Sequence, residues 1–416
     1  MEKRRVVVTG MGVVAPNGIG IENFWDSLVH GRSGIKLIDQ FDVSSYPSKI
    51  AGQIEEFDPS NYISPKVARR MDRFSQFGFA CSRMALVDSH LNLDQTKDNS
   101  IGVSVGSAIG GLPYAEEQHS IFLEKGLKRV SPLLSTRLFV GSCMNNICIE
   151  FGIKGPCYAL STGCATGADN IGFAFNLIRD GKVDLMLAGA VEAPLSPFTF
   201  GSCCLVGVMS TQNDPPYQTP KPFDLYRDGI VLSEGGAVLV LEELHHALNR
   251  GAKIYAEIIG FATTHDAYHI TQPAPDGEQA EKAIRLALED ANIQPEEVDY
   301  ICAHGTGTIL NDKIETMVVK RIFNTRKECI LTSSIESMIG HPFGAAGAMK
   351  IAASALAIKN GIVPPTINYE HPDPECDLNC VPNEVIKKDL NHVVCNSFSF
   401  GGKNSILILK KSLNSG

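Results

Sequence analysis

Apolar positions along this 416-residue chain follow two spacings in turn. Short β-branched runs predict buried strands at residues 6–8, 101–105, 184–187, 237–241, 254–259, 300–303, 330–333, 393–395 and 406–409. Between them, recurrence every three to four residues predicts helices at 23–28, 65–89, 171–179, 278–291, 313–323 and 345–358. Gly10 and Gly12 read as a turn closing the first strand, and Gly181 as a helix stop. Met71, Phe74, Phe77, Phe79, Met84 and Leu86 supply one apolar side of the 65–89 helix. The 345–358 helix is small and apolar on every side, which predicts burial all round. Strands alternating with helices predict α/β layers. The same style begins again near residue 254, so the chain divides into halves, 1–252 and 253–416.

Composition narrows the partners. Hydrophobic residues make up 44% and charged residues 20%, as in a globular protein with a large core. The net charge of −9, with no dominant basic tract, argues against nucleic acid. No apolar run reaches the roughly 20 residues that span a bilayer. The chain enters its first strand with no apolar leader, so a cytoplasmic protein without a membrane partner is expected. Its twelve cysteines are scattered, which fits reduced thiols better than a disulfide framework. Neither Cys376 with Cys380 nor His265 with His269 has a second ligand pair at metal spacing, so no metal is expected.

Three positions carry candidate chemistry. Cys164 lies among small residues in Ser161-Thr162-Gly163-Cys164-Ala165-Thr166-Gly167, at the head of the 171–179 helix. Free N–H groups and the positive dipole end there favour an anion, and so a nucleophilic thiolate. A buried cysteine acting as a small hydrophobe is the competing reading. His304 opens His304-Gly305-Thr306-Gly307-Thr308 after a strand, and His341 lies in Gly340-His341-Pro342-Phe343-Gly344. Two histidines and a helix-capping cysteine in glycine-rich surroundings shift the balance toward a site. A thiolate can carry an acyl group as a thioester, and imidazole and backbone N–H groups can hold an enolate or oxyanion. The residues alone lead to acyl transfer. The loop Gly106-Ser107-Ala108-Ile109-Gly110-Gly111 admits close ligand approach but lacks a phosphate-loop ending.

Ser161-Thr162-Gly163-Cys164, His304-Gly305-Thr306-Gly307-Thr308, Gly340-His341 and Asn396-Ser397-Phe398-Ser399-Phe400-Gly401-Gly402 together resemble the signature set of elongating β-ketoacyl-acyl carrier protein synthases. The resemblance spans nearly the whole chain. It implies a thiolase-type α/β fold: two pseudo-duplicated βαβαβαββ halves in five α-β-α-β-α layers, working as a dimer. It implies that Cys164 accepts an acyl chain, while His304 and His341 help decarboxylate a malonyl thioester and stabilise its enolate. The N–H groups of Cys164 and Phe400 would form the oxyanion hole. Thr306 and Thr308 would contact the phosphopantetheine arm of the carrier protein, with no permanently bound cofactor. Ile109, Phe398 and Phe400 would border the acyl chain, Phe400 as a gate. Lys66, Arg69 and Arg70 would dock the acidic carrier protein.

Motifs such as Arg70-Met71-Asp72-Arg73-Phe74 and Pro372-Asp373-Pro374-Glu375-Cys376 look more like the ketosynthase subunit of type II polyketide systems. That subunit pairs with a chain-length factor. The alternative is a homodimeric fatty-acid synthase subunit of the long-chain type, and a further one is a non-catalytic subunit like the chain-length factor. Three departures from the family stand out. Ser399 replaces the usual Gly, Lys403 replaces a small residue such as Thr, and Glu336 stands where the family has Lys. Lys350 stands where fatty-acid relatives have the Glu partner of that Lys, so the pair reads as exchanged.

Overall fold

The computed structural model describes residues 3–93, 100–323 and 330–412. Cys329, one of the twelve cysteines, lies outside them; the eleven described cysteines are free thiols. The first half runs β1 (Val6–Ala15), α1 (Arg73–Asp88), β2 (Ile101–Gly106), α2 (Gly141–Phe151), β3 (Cys157–Tyr158), α3 (Thr166–Arg179), β4 (Leu185–Glu192) and β5 (Gly235–Glu243). The second half repeats it: β6 (Ala256–His265), α4 (Glu278–Ala291), β7 (Tyr300–Cys302), α5 (Ile309–Phe323), β8 (Leu331–Ser333), α6 (Ala346–Asn360), β9 (His392–Ser399) and β10 (Lys403–Lys410).

The strands lie in the order β3-β2-β4-β5-β1-β6-β10-β9-β7-β8, a palindrome of equivalent strands. In each half the first three from the edge are parallel and the remaining pairings antiparallel. The halves meet where Val6, Val7 and Val8 of β1 pair with Ile258, Glu257 and Ala256 of β6. Alternation along the strands sorts the core into layers. Leu185 and Leu187 face Phe74, Phe77 and Ile147 of α1 and α2 on the outside. Met186 and Ala188 face inward to α3 and α6, which also pack on Val393, Leu407 and Leu409 of the other half. Ile301, Val394, Ile406 and Ile408 meet α4 and α5 on the far side. These are the five layers expected. Helix α6 is buried from Ala346 through Ile358, because it lies between the two halves of the sheet with α3 beside it.

Two local expectations fail for physical reasons. Gly10 and Gly12 make no turn; β1 continues through them to Ala15, with a bulge between Val8 and Gly10. They are glycine because α1 crosses there: a Cβ would stand 2.3 Å from the Ala85 carbonyl oxygen at Gly10 and 2.0 Å from that of Cys81 at Gly12. The 65–89 helix is two helices, Pro65–Ala68 and α1. Met71 is buried against Ile63, Ala68 and Phe79, and the Arg137 guanidinium donates to its carbonyl at 2.8 Å. Asp72 is extended there, so the chain turns before α1 begins. Helices Leu112–Lys125 and Pro197–Val206 had no clean apolar stripe in the sequence; both leave large apolar side chains exposed. No described helix is long and apolar enough to cross a membrane.

Candidate active site

The two central helices bring the chemistry together. Helices α3 and α6 touch through glycines, since a Cβ on Gly167 would lie 2.4 Å from the Ala348 amide. Cys164 precedes α3 after Gly163, whose φ of +60° turns the chain into the helix. Thr166 accepts from the Thr162 amide and donates to the Gly163 carbonyl, at 2.9 and 2.7 Å. Asn170 holds both backbone groups of Leu160, and the Ser104 hydroxyl donates to it. The loop bearing the thiol is therefore fixed onto its own helix.

His304 follows β7, and buried Glu315 of α5 accepts the amides of His304 and Gly305, each at 2.8 Å. Asn396 of β9 donates to the same carboxylate at 2.9 Å. His341 follows the short helix Glu336–Ile339 and Gly340, and its amide donates to the Val231 carbonyl at 2.7 Å. Lys350 comes from α6, buried at 0% exposure.

These side chains form one continuous chain of contacts. Cys164 Sγ lies 3.1 Å from His341 Nε2. His341 Nδ1–H donates to Glu336 Oε2 at 2.7 Å. Lys350 Nζ lies 3.6 Å from Glu336 Oε1 and donates to His304 Nδ1 at 3.0 Å. Glu336 Oε1 is also 3.5 Å from His304 Nδ1. Both charged residues of the exchanged pair thus face the histidines and each other, with Glu336 buried at 0% exposure.

The charges follow from the partners. Burial lowers the His304 pKa, and the Lys350 ammonium lowers it further, to about 3. With Lys350 donating to Nδ1, the proton of neutral His304 belongs on Nε2. Burial also opposes charge on His341, but the Glu336 carboxylate and the Cys164 sulfur outweigh it and raise the pKa to about 10. Burial favours neutral Glu336, yet His341, His304 and Lys350 hold its carboxyl well below the usual range. Near neutral pH the site of the free enzyme therefore holds one neutral imidazole, His304, and one charged imidazole, His341.

A cavity of about 280 Å³ opens onto Cys164, His304 and His341. Thr306 and Thr308 line it and share a hydrogen bond of 2.9 Å; Phe398, Ser399 and Phe400 line another side, with Phe400 48% exposed. Ile109 is not brought to that wall. It lies half-buried on the neighbouring loop, which the Ser161 hydroxyl reaches by donating to the Ala108 carbonyl at 3.2 Å. Lys66 lies in the helix Pro65–Ala68 and Arg69 and Arg70 in the turn after it, all three exposed.

Sequence reasoning missed the carboxylates that hold the loops. Glu315 fixes the His304 loop, and Asp312 accepts the amides of Phe223 and Gly307 at 2.9 and 3.2 Å. Glu192, fully buried, accepts from the Ser107 hydroxyl at 2.7 Å and from the Ala108 amide, and burial pushes its pKa up to about 8. The available signal was Asp312 and Glu315 at i, i+3 on the apolar side of a helix.

A helix-head cysteine with two histidines on paired βαβαβαββ halves defines a condensing acyltransferase of thiolase-type fold. The chain belongs to the β-ketoacyl synthase family: the pattern described as "Beta-ketoacyl synthase, N-terminal domain" matches residues 3–247, and "Beta-ketoacyl synthase, C-terminal domain" matches 255–370. It is 43% identical over 411 residues, 99% of both chains, to 3-oxoacyl-[acyl-carrier-protein] synthase 2 of Coxiella burnetii. It is 42% identical over 412 residues, again 99% of both, to the protein of that name from Vibrio harveyi. Among solved structures, the ishigamide ketosynthase/chain length factor matches with a TM-score of 0.92 at 35% identity, covering 99% of this chain and 100% of that one. A type II polyketide acyl-carrier protein in complex with its ketosynthase bound to the hexaketide matches with a TM-score of 0.91 at 34% identity, covering 99% and 100%.

Proposed function

We propose that this protein is a 3-oxoacyl-acyl carrier protein synthase of fatty-acid synthesis, extending a Cys164-bound acyl chain by decarboxylative condensation with malonyl-acyl carrier protein. The observation that carries the reading is the unbroken contact chain Cys164–His341–Glu336–Lys350–His304. In the loading step the Cys164 thiolate attacks the acyl thioester carbon. The oxyanion forms at the amides of Cys164 and Phe400, and the departing pantetheine sulfur takes a proton from His341. The malonyl thioester then loses CO2, and its electron pair forms an enolate. His304 Nε2–H and His341, reprotonated at Nε2 from solvent once the pantetheine thiol has left, donate to the enolate oxygen. The enolate carbon attacks the acyl carbon, and the Cys164 thiolate leaves. Residues 1–252 contribute the nucleophile and 253–416 the two histidines.

The sequence motifs favoured polyketide over fatty-acid synthesis, and that preference is reversed here. Relatives at 42–43% identity over 99% of both chains are named 3-oxoacyl-[acyl-carrier-protein] synthase 2, the name that fits the fatty-acid reading, whereas the polyketide likeness comes from structures at 34–35%. We assign a homodimer accordingly, supported by exposed Ile149, Phe198 and Leu205 and by the edge strand β3. Purification from the native host tests this: one subunit type at dimer mass is expected, and a second, cysteine-lacking subunit would restore the polyketide reading. The reaction products test the chemistry. One two-carbon extension per acyl chain supports the fatty-acid assignment; poly-β-keto chains would contradict it.

Lys66, Arg69 and Arg70 serve as the docking patch for the acidic carrier protein. Reversing charge at Arg69 and Arg70 is expected to raise the apparent KM for carrier-bound substrates about tenfold, since steering between opposite charges contributes that much or more. Small thioester mimics should be nearly unaffected, and added salt should erase the difference. Equal effects on both substrate types would exclude docking there.

A further inference from the structure

The amide N–H of Cys164 already has a partner. It donates to the Ser399 hydroxyl oxygen at 2.9 Å, and Ser399 lines the cavity beside Cys164, His304 and His341. The amide of a nucleophile at a helix head is a natural seat for the negative oxygen of a tetrahedral intermediate. The Ser399 oxygen therefore stands where that oxygen would be. The contact needs Gly163: a Cβ there would lie 2.3 Å from Ser399 Oγ.

The surrounding turn is fastened to the nucleophile helix a second time. Ser399 and Lys403 are cross-strand partners at the two feet of the turn Phe400-Gly401-Gly402. Lys403 Nζ lies 3.4 Å from Asp169 Oδ2 in the first turn of α3. Asp169 is buried, and its other oxygen has no hydrogen-bond partner among the described residues, so the ammonium is the cation facing that carboxylate. At the tip, the Gly401 amide donates to the Ile270 carbonyl at 2.8 Å and the Gly402 carbonyl accepts from Asp266 at 2.7 Å.

We propose that Ser399 plugs the oxyanion hole of the resting enzyme, holding the Cys164 amide until the carbonyl oxygen of an incoming acyl thioester displaces it. Acyl loading must break this N–H···O bond before the amide can serve the intermediate. Short thioesters that do not push the turn aside face the full cost, whereas carrier-bound chains that fill the cavity recover it through their contacts. Ser399 thus acts as a positioning residue that favours full-length substrate. The inference rests on Cys164 being the acyl acceptor.

Ser399→Ala removes the plug with little change in size, and Ser399→Gly removes it with a freer backbone. The test measures acylation of Cys164 by a short N-acetylcysteamine thioester and, in parallel, alkylation by iodoacetamide, which needs no oxyanion hole. Acylation should rise about two- to tenfold in both variants, the scale of one net hydrogen bond. Alkylation should stay at the wild-type rate. Slower or unchanged acylation in a folded variant would overturn the plug, because the hydroxyl would then be assisting the intermediate or doing nothing. A parallel rise in alkylation would overturn it too, pointing to access and not to the amide. If the wild-type protein shows no acyl mass on Cys164 at all, it is the proposed reaction that fails.

Discussion

Cys164→Ala is expected to abolish condensation, lowering kcat by roughly 10³-fold or more, as when a covalent nucleophile is removed from a catalytic unit. Among the described cysteines only Cys164 lines the cavity, and burial raises the pKa of Cys203 to about 11. Cys164→Gln should separate the half-reactions: condensation is lost, but malonyl decarboxylation persists or rises, because His304 and His341 remain and the amide mimics an acylated sulfur. Release of CO2 and formation of 3-oxoacyl-carrier protein, followed separately, check both variants. Normal condensation by Cys164→Ala would remove the nucleophile from the account.

The exchanged charge pair should give the largest stability effects. Glu336 and Lys350 are both buried at 0% exposure, 3.6 Å apart, and each also contacts a histidine. Glu336→Lys sets two ammonium groups side by side and leaves His341 Nδ1–H without its acceptor. Lys350→Glu sets two carboxylates side by side and deprives His304 Nδ1 of its donor. Losing one partner of a buried pair typically costs about 3–5 kcal/mol, so each single change should lower Tm and activity together. In Glu336→Lys the His341 pKa should also fall, since burial then acts without the carboxylate that outweighs it. The double change restores opposite charges at the same two positions and should recover much of both losses, giving a favourable coupling energy. Thermal melts and activity on the four proteins decide this; a double variant no better than the sum of its singles would show that the pair does not act as a unit.

Much of this architecture was legible because most strands carry near-continuous apolar runs buried on both faces, and because α6 carries no polar stripe. What misled were residues whose role depends on a distant element. Gly10 and Gly12 look like a turn until α1 is laid across them. Residues 65–89 look like one helix until Arg137, far along the chain, takes the Met71 carbonyl. At the site, Cys164, His304 and His341 stood out by their glycine-rich settings, and Glu336 and Lys350 by departing from the family pattern. Glu192 did not, since nothing local distinguishes a carboxylate that binds a loop amide from one that faces water, and Glu315 offered only its i, i+3 spacing with Asp312. Ser399 was visible as a substitution, but its bond to the Cys164 amide joins residues 235 positions apart.

Mass spectrometry can follow Cys164 through a single turnover. Incubated with a carrier protein already loaded with an acyl thioester, and no malonyl donor, the wild-type protein should gain one acyl mass on the peptide containing Cys164. Adding malonyl-acyl carrier protein should return that peptide to its free mass, with equimolar CO2 and a 3-oxoacyl-carrier protein two carbons longer than the acyl chain supplied. An acyl mass on another residue, or CO2 released while the acyl mass stays on Cys164, would contradict the account.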